Sequence, residues 1–289
     1  MTTPAATTTA RSILPGLNIL LEGPSGTGKT HAIGSLVDSG VEVFYLAMEP
    51  GLETLLGYFT DRAKPVPIPD NLHWHFVPAA TAGFEEMADT AEKINTYNFE
   101  MLTKMQDNNR RKYNQFHGVL KALCDFPDDR TGNRYGPVDS WGTGRALVVD
   151  GMTGLCLASL AAVVGGKPVK SMPDWGVAQD QVERLLRKFC DGCRCHFILL
   201  AHVEREVDPV LGGIKLMTSA LGKALAPKIP AMFSDVILTV REGEKFSWDT
   251  ASALADLKTR NLPIKSGQPP TFAPIIAKWL ARGGVFEAQ

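Results

Sequence analysis

Short apolar runs punctuate the chain, several of them bordered by Gly, Pro, Asn or Asp. Leu17-Asn-Ile-Leu-Leu-Glu22, Val41-Glu-Val-Phe-Tyr-Leu-Ala47, Ala146-Leu-Val-Val-Asp150, Cys195 to Ala201 and Val236 to Val240 are nearly continuous rather than alternating, and Leu72 to Val77 reads as a further short strand. Continuous runs of this length predict strands buried on both faces. A further strand is expected over 254–260. Helix-compatible stretches separate the runs. One starts at Lys29 and runs to about Val37, stopping near Ser39-Gly40, and another covers 177–191. The stretch from Gly83 to about Leu123 has no proline and reads as mostly helix, and Pro127 to Gly144 reads as a loop. Strands separated by helices predict an α/β fold, a mostly parallel twisted sheet with helices on both faces. The segments 165–175 and 205–218 are expected to be long loops, and long loops in compact domains are often functional.

Composition narrows the class without changing that picture. The 289 residues are 44% apolar and 21% charged, with a formal net charge of -1. These are values of an ordinary globular chain, long enough to bury a core without disulfides or metal. The charge argues against a strongly basic coat on nucleic acid, while leaving room for a local basic patch. No apolar run reaches the roughly 18 residues of a membrane helix, so no membrane partner is expected. Residues 1–12 are rich in Thr and Ala and read as a disordered tail rather than an export signal, and a cytoplasmic location follows as the default. The five cysteines are Cys124, Cys156, Cys190, Cys193 and Cys195. An odd number argues against a disulfide framework. Cys190, Cys193 and Cys195 lack a second ligand pair for zinc, so they read as plain thiols, with a metal site as the alternative.

The chemistry starts at Gly23-Pro24-Ser25-Gly26-Thr27-Gly28-Lys29-Thr30, a full match to G-x-x-x-x-G-K-T between a strand and a helix. The glycines allow backbone N–H groups to turn inward around phosphates, and the following helix aims its N-terminus at them. Lys29 is expected to contact the β- and γ-phosphates and Thr30 to bind Mg²⁺. ATP and Mg²⁺ are the expected cofactors. The alternative is a glycine-rich turn without a ligand. Asp150, closing an apolar run, is the candidate second Mg²⁺ ligand, against a simple capping residue.

Glu49 sits just past the second strand, in the turn Met48-Glu49-Pro50-Gly51, and the position after Asp150 is Gly151. Phe44-Tyr-Leu-Ala-Met-Glu49-Pro-Gly-Leu resembles the RecA-family segment whose acid orients the attacking water. Cys195-His-Phe-Ile-Leu-Leu-Ala201-His202 resembles the strand whose terminal polar residue senses the γ-phosphate. Asp256-Leu-Lys258-Thr-Arg260-Asn-Leu-Pro263 resembles the finger by which RecA-like recombinases and hexameric helicases reach a neighbour's ATP. The resemblance spans roughly 13–281, and the chain is similar to short phage nucleotide-binding ATPases, including core-only single-strand-annealing recombinases. It implies a RecA-like P-loop NTPase core over 13–289 with a helical or loop insertion at about 83–144. In that frame Glu49 is the general base, Lys29, His202, Lys258 and Arg260 act in catalysis, and ATP hydrolysis is completed between subunits of a homo-oligomeric ring or filament. On an extended strand Lys258 and Arg260 would point to one side. The bland readings are a turn acid, a strand-end histidine and a solvated basic edge.

The resemblance also implies single-stranded DNA as partner. Gly165-Gly-Lys167-Pro-Val-Lys170-Ser171 fits the first DNA segment, and Arg205 to Lys228, with Lys215, Lys223 and Lys228, fits the second. Lysines there neutralise phosphates, and Trp175 is the one aromatic nearby. Flexible loops with scattered lysines are the alternative. Arg110-Arg111-Lys112 is a further cluster, more often a solvated face. The expected function is thus a RecA-like ATPase of single-strand recombination or annealing. A hexameric helicase-like motor or loader is the alternative, and a small-molecule kinase ranks last because no Arg-rich lid is evident. The large insertion and the neutral charge are the departures from the family pattern.

Overall fold

The computed structural model describes residues 12–79, 83–105, 112–207, 212–222 and 224–287. Its elements run β1 (Asn18–Glu22), α1 (Lys29–Ala32), α2 (Gly34–Asp38), β2 (Glu42–Ala47), α3 (Leu52–Thr60), β3 (Leu72–Phe76), α4 (Phe84–Thr96), α5 (Phe99–Lys104) and α6 (Gln115–Cys124). They continue with β4 (Arg145–Asp150), α7 (Met152–Val164), α8 (Met172–Gly192), β5 (His196–Ala201), β6 (Val203–Val207), β7 (Ile214–Thr218), α9 (Ile229–Met232), β8 (Asp235–Glu242), β9 (Lys245–Asp249) and α10 (Ala273–Ala281).

Seven strands form one sheet in the order β3-β2-β4-β5-β1-β8-β9. All neighbours are parallel except β8 and β9. The sheet is buried on both faces, which accounts for the continuous apolar runs. Leu20, Phe44, Leu46, Leu147, Val149, Phe197 and Leu199 meet residues of α6, α7 and α8 on one face. Their chain neighbours Ile19, Leu21, Val43, Tyr45, Val148, Ile198 and Leu200 meet α1, α2, α3 and α10 on the other. Both cores therefore draw on the same strands, residue by residue in alternation. The expected α/β architecture is what the structure shows.

Four expectations need correction. Residues 254–260 are not a strand; Val236–Lys258 and Leu216–Ala255 are isolated bridges. The reason is Asp235, whose carboxylate accepts from Thr259 Oγ1 at 3.0 Å and from the backbone N–H groups of Arg260 at 2.8 Å and Asn261 at 3.0 Å. A side chain thus occupies donors that a sheet ladder would use. The segment 205–218 is not a loop; β6 and β7 pair as an antiparallel hairpin from Val203–Thr218 to Val207–Ile214. Gly212 and Gly213, at φ 68° and 98°, lead into β7. Within 165–175, helix α8 already begins at Met172, with a capping box between Ser171 and Asp174. Ser12, assigned to the tail, is buried, and its N–H donates to Glu287 at 2.9 Å; residues 1–11 lie outside the described residues. Within the insertion, α4 and α5 bury no residue, whereas α6 anchors it through Phe116, Val119 and Ala122.

Candidate nucleotide-binding site

In a parallel sheet every strand delivers its last residue to the same edge. Here that edge collects Gly23 after β1, Glu49 after β2, Asp150 at the end of β4 and His202 after β5. The register fixes them side by side, with Ala47 opposite Asp150, Asp150 opposite Leu200 and Glu22 opposite Ala201.

The loop from Gly23 to Thr30 is held by its own geometry. Gly26 and Gly28 have φ of 73° and 83°, which glycine adopts without strain. A Cβ at Gly23 would overlap Thr239 Oγ1 on β8. That hydroxyl sits 2.6 Å from Thr27 Oγ1 and donates to the Glu22 carbonyl at 3.1 Å. Thr27 in turn donates to the Pro24 carbonyl at 2.7 Å. On the outer side, the Phe246 ring abuts Gly28, and the Arg241 guanidinium lies 5.3 Å from that ring's centre.

Lys29 folds back over the loop. Its Nζ donates to the carbonyls of Gly23 and Pro24, both at 2.8 Å, and lies 3.5 Å from His202 Nδ1. Burial pushes its pKa down to about 8, against the opposing pull of Asp150 and Glu49. Thr30 Oγ1 donates to Asp150 Oδ2 at 2.8 Å, and the Tyr45 hydroxyl donates to the same oxygen. Burial, and then the Asp150 carboxylate, hold that phenol protonated. Thr30 and Asp150 thus offer adjacent hard oxygens, a donor set that fits Mg²⁺ bound together with phosphate oxygens. Glu49 is half-buried and lies over the start of α7. A Cβ on Gly154 would come within 3.1 Å of its Oε1, so glycine there makes the space the carboxylate occupies.

Glu22 roots this loop in the sheet and is itself unusual. It is 1% exposed, and Thr218 Oγ1 at the end of β7 donates to its Oε2 at 2.6 Å. Burial, with a smaller push from Asp256, raises its pKa to about 7, although the Thr218 hydroxyl works in the other direction. The next residue, Ser219, donates its N–H to the His202 carbonyl at 2.7 Å.

Lys258 and Arg260 lie elsewhere. Lys258 bridges to Val236, and the Arg260 N–H bonds Asp235, the first residue of β8, which stands opposite Ile19 near the start of β1. They lie toward the amino edge of the sheet, opposite Leu20 and Ile19, so about 10–13 Å of strand separates them from Gly23 at some 3.3 Å per residue. Both side chains are exposed, and Lys258 Nζ donates to the Ala231 carbonyl at 3.1 Å.

The two segments expected to meet nucleic acid come together in part. Lys170 Nζ lies 5.6 Å from the centre of the Trp175 ring. Met172, Trp175, Gly176 and Gln179 line a cavity of about 510 Å³ with Gly222 and Ala224 from the segment after β7. Lys167 faces α4 and α5 across a cavity of about 450 Å³. Arg205 is exposed on β6, while Lys215 pairs with Asp256 at 2.8 Å and Lys228 with Glu183 at 3.0 Å. Lys223, Arg110 and Arg111 lie outside the described residues; Lys112 pairs with Glu86 at 2.9 Å. Cys195 is buried in the core, and no group of three or more potential metal-ligating His, Cys, Asp or Glu side chains occurs among the described residues. Among them, too, no helix is long and apolar enough to cross a membrane.

Sequence reasoning missed Glu22, Tyr45, Gly154, Thr218 and Thr239. Glu22 carried the only signal, an acid closing an otherwise apolar strand. The fold and site together define an α/β protein with a G-x-x-x-x-G-K-T loop at the carboxyl edge of a mostly parallel sheet. No protein-family model and no curated protein matches the chain.

Proposed function

We propose that the chain is a Mg²⁺-dependent, RecA-like ATPase that acts on single-stranded DNA in recombination or annealing. The observation that carries this reading is the convergence of Lys29, Thr30, Asp150, Glu49 and His202 on one sheet edge, with the Lys258 and Arg260 pair on the opposite edge. In this reading Lys29 exchanges its two carbonyl acceptors for phosphate oxygens. Thr30 and Asp150 would hold Mg²⁺, which would supply positive charge beside the phosphate oxygens. Glu49 accepts the proton of the attacking water, and His202 hydrogen-bonds the γ-phosphate end. Lys258 and Arg260 cannot reach the loop of their own chain. They serve the triphosphate of a neighbouring subunit, stabilising charge that develops in the transition state. Support for DNA as partner comes from the junction of the 165–175 segment with the residues after β7, where Trp175 and Lys170 supply a stacking ring and a cation.

The test is ATP hydrolysis with and without single-stranded DNA, alongside particle size. Hydrolysis is expected to rise with DNA and to coincide with an oligomer. Glu49→Gln should bind ATP normally and hydrolyse it about 100-fold or more slowly, the contribution of a positioned base. Hydrolysis near the wild-type rate in that variant would overturn the assignment of Glu49. An absence of DNA binding at low salt with ATP present would remove the DNA role.

A further inference from the structure

The hairpin β6–β7 touches the nucleotide site at two consecutive residues. Thr218 Oγ1 donates to the buried carboxyl of Glu22, and Ser219 N–H donates to the carbonyl of His202. Glu22 directly precedes Gly23, whose carbonyl accepts from Lys29 Nζ at 2.8 Å. The Glu22 carbonyl accepts from Thr239, the same hydroxyl that contacts Thr27 in the loop. Glu22 therefore belongs at once to the loop and to the end of the hairpin. We propose that Glu22 is a positioning residue, and that its hydrogen bond to Thr218 transmits occupation of the phosphate loop to the β6–β7 hairpin, by a route separate from His202. This rests on the nucleotide reading above.

The reasoning is mechanical. A triphosphate takes Lys29 away from the Gly23 and Pro24 carbonyls, so the loop root must adjust where Glu22 joins it. Thr218 is 2% exposed and Glu22 1%. A buried carboxyl and hydroxyl cannot replace each other with water, so the pair moves together or leaves a polar group unsatisfied. The hairpin, by contrast, has few buried residues, with Thr218 alone buried on its two strands. It is a lightly anchored element attached to the core where the ligand acts, and such elements respond to small biases.

Hydrogen exchange of the hairpin amides, read by mass spectrometry with and without a non-hydrolysable ATP analogue and Mg²⁺, tests this. In the wild-type chain the analogue should change exchange in 203–207 and 214–218 by about 3- to 10-fold, the scale of one hydrogen bond. Thr218→Val, which keeps the shape and removes the donor, should lose the part of that response that falls on 214–218 while its nucleotide affinity by calorimetry stays within about 3-fold. Thr218→Ser should restore it, and Glu22→Gln, which keeps an acceptor, should retain it. A purely structural role predicts that Thr218→Val alters exchange equally with and without nucleotide. That result overturns the proposal, as does a wild-type hairpin indifferent to a nucleotide that calorimetry shows bound. A wild-type chain that binds no nucleotide overturns the ATP reading itself, and the proposal with it.

Discussion

Replacing Glu22 with glutamine removes one titrating group from the root of the phosphate loop and keeps the acceptor that Thr218 uses. In the folded chain burial holds this carboxyl protonated up to about pH 7, whereas its ordinary value is 4.5. A group whose folded pKa is raised stabilises the fold fully below the unfolded pKa and loses that contribution as pH rises through the folded pKa. Stability should thus fall between about pH 4.5 and 7 and level off above. A shift from 4.5 to about 7 corresponds to about 3 kcal/mol at 1.36 kcal/mol per unit, of which about 2.5 kcal/mol falls between pH 5 and 8. Urea unfolding at fixed ionic strength, followed by two probes to check that the transitions coincide, measures it. His73 and His196 also titrate away from their ordinary range, but they are present in both proteins and cancel in the difference between the two curves. The wild type should lose about 2.5 kcal/mol more than Glu22→Gln over this window. Parallel curves, within about 0.5 kcal/mol, would refute the burial argument for Glu22.

Other outcomes follow from packing and placement. Gly23→Ala forces a methyl group into Thr239 Oγ1; nucleotide binding should disappear and the melting temperature should fall, at a cost of about 1–3 kcal/mol for overpacking, checked by calorimetry and thermal melting. Lys258→Ala should show normal ATP affinity but little hydrolysis, and small amounts mixed into wild type should depress activity more than in proportion; strictly proportional loss would mean that the residue does not act across subunits. Lowering the pH from 6.5 to 4 should destabilise the fold through His196, whose burial pushes its pKa down to about 4. Denaturant midpoints of wild type and His196→Gln should converge with that acidification, since the neutral imidazole's advantage is lost as pH falls through the folded pKa.

Much of the fold was legible because strands buried on both faces leave continuous apolar runs, and the five such runs correspond to strands β1, β2, β4, β5 and β8, with the short run Leu72 to Val77 matching the partly buried β3. The placement of Gly23, Asp150 and Glu49 on one edge was legible because each stands at or just past the end of a strand in a parallel sheet. Strand β9 and the hairpin were not. Strand β9 alternates in polarity over only five positions, while Val203-Glu-Arg-Glu-Val207 and Ile214-Lys-Leu-Met-Thr218 carry three consecutive polar residues or no period-two pattern, so neither reads as a strand. The error at 254–260 has a different origin. Nothing local to that segment reveals that Asp235, more than twenty residues earlier, takes its N–H groups. Thr218 and Thr239 were invisible for the same reason, since their roles exist only once β7 and β8 are folded against β1.

The separation of the phosphate loop from Lys258 and Arg260 has a consequence for symmetry. A contact that brings the amino edge of one chain to the carboxyl edge of the next joins two different surfaces, so every chain in a stack faces the same way. Such an assembly has a direction. If it does not close, one terminal chain offers a loop without a finger and the other a finger without a loop. In the proposed assembly, growth, ATP turnover and exchange of chains would then differ between the two ends, and the rate per chain would fall on dilution as active contacts dissociate.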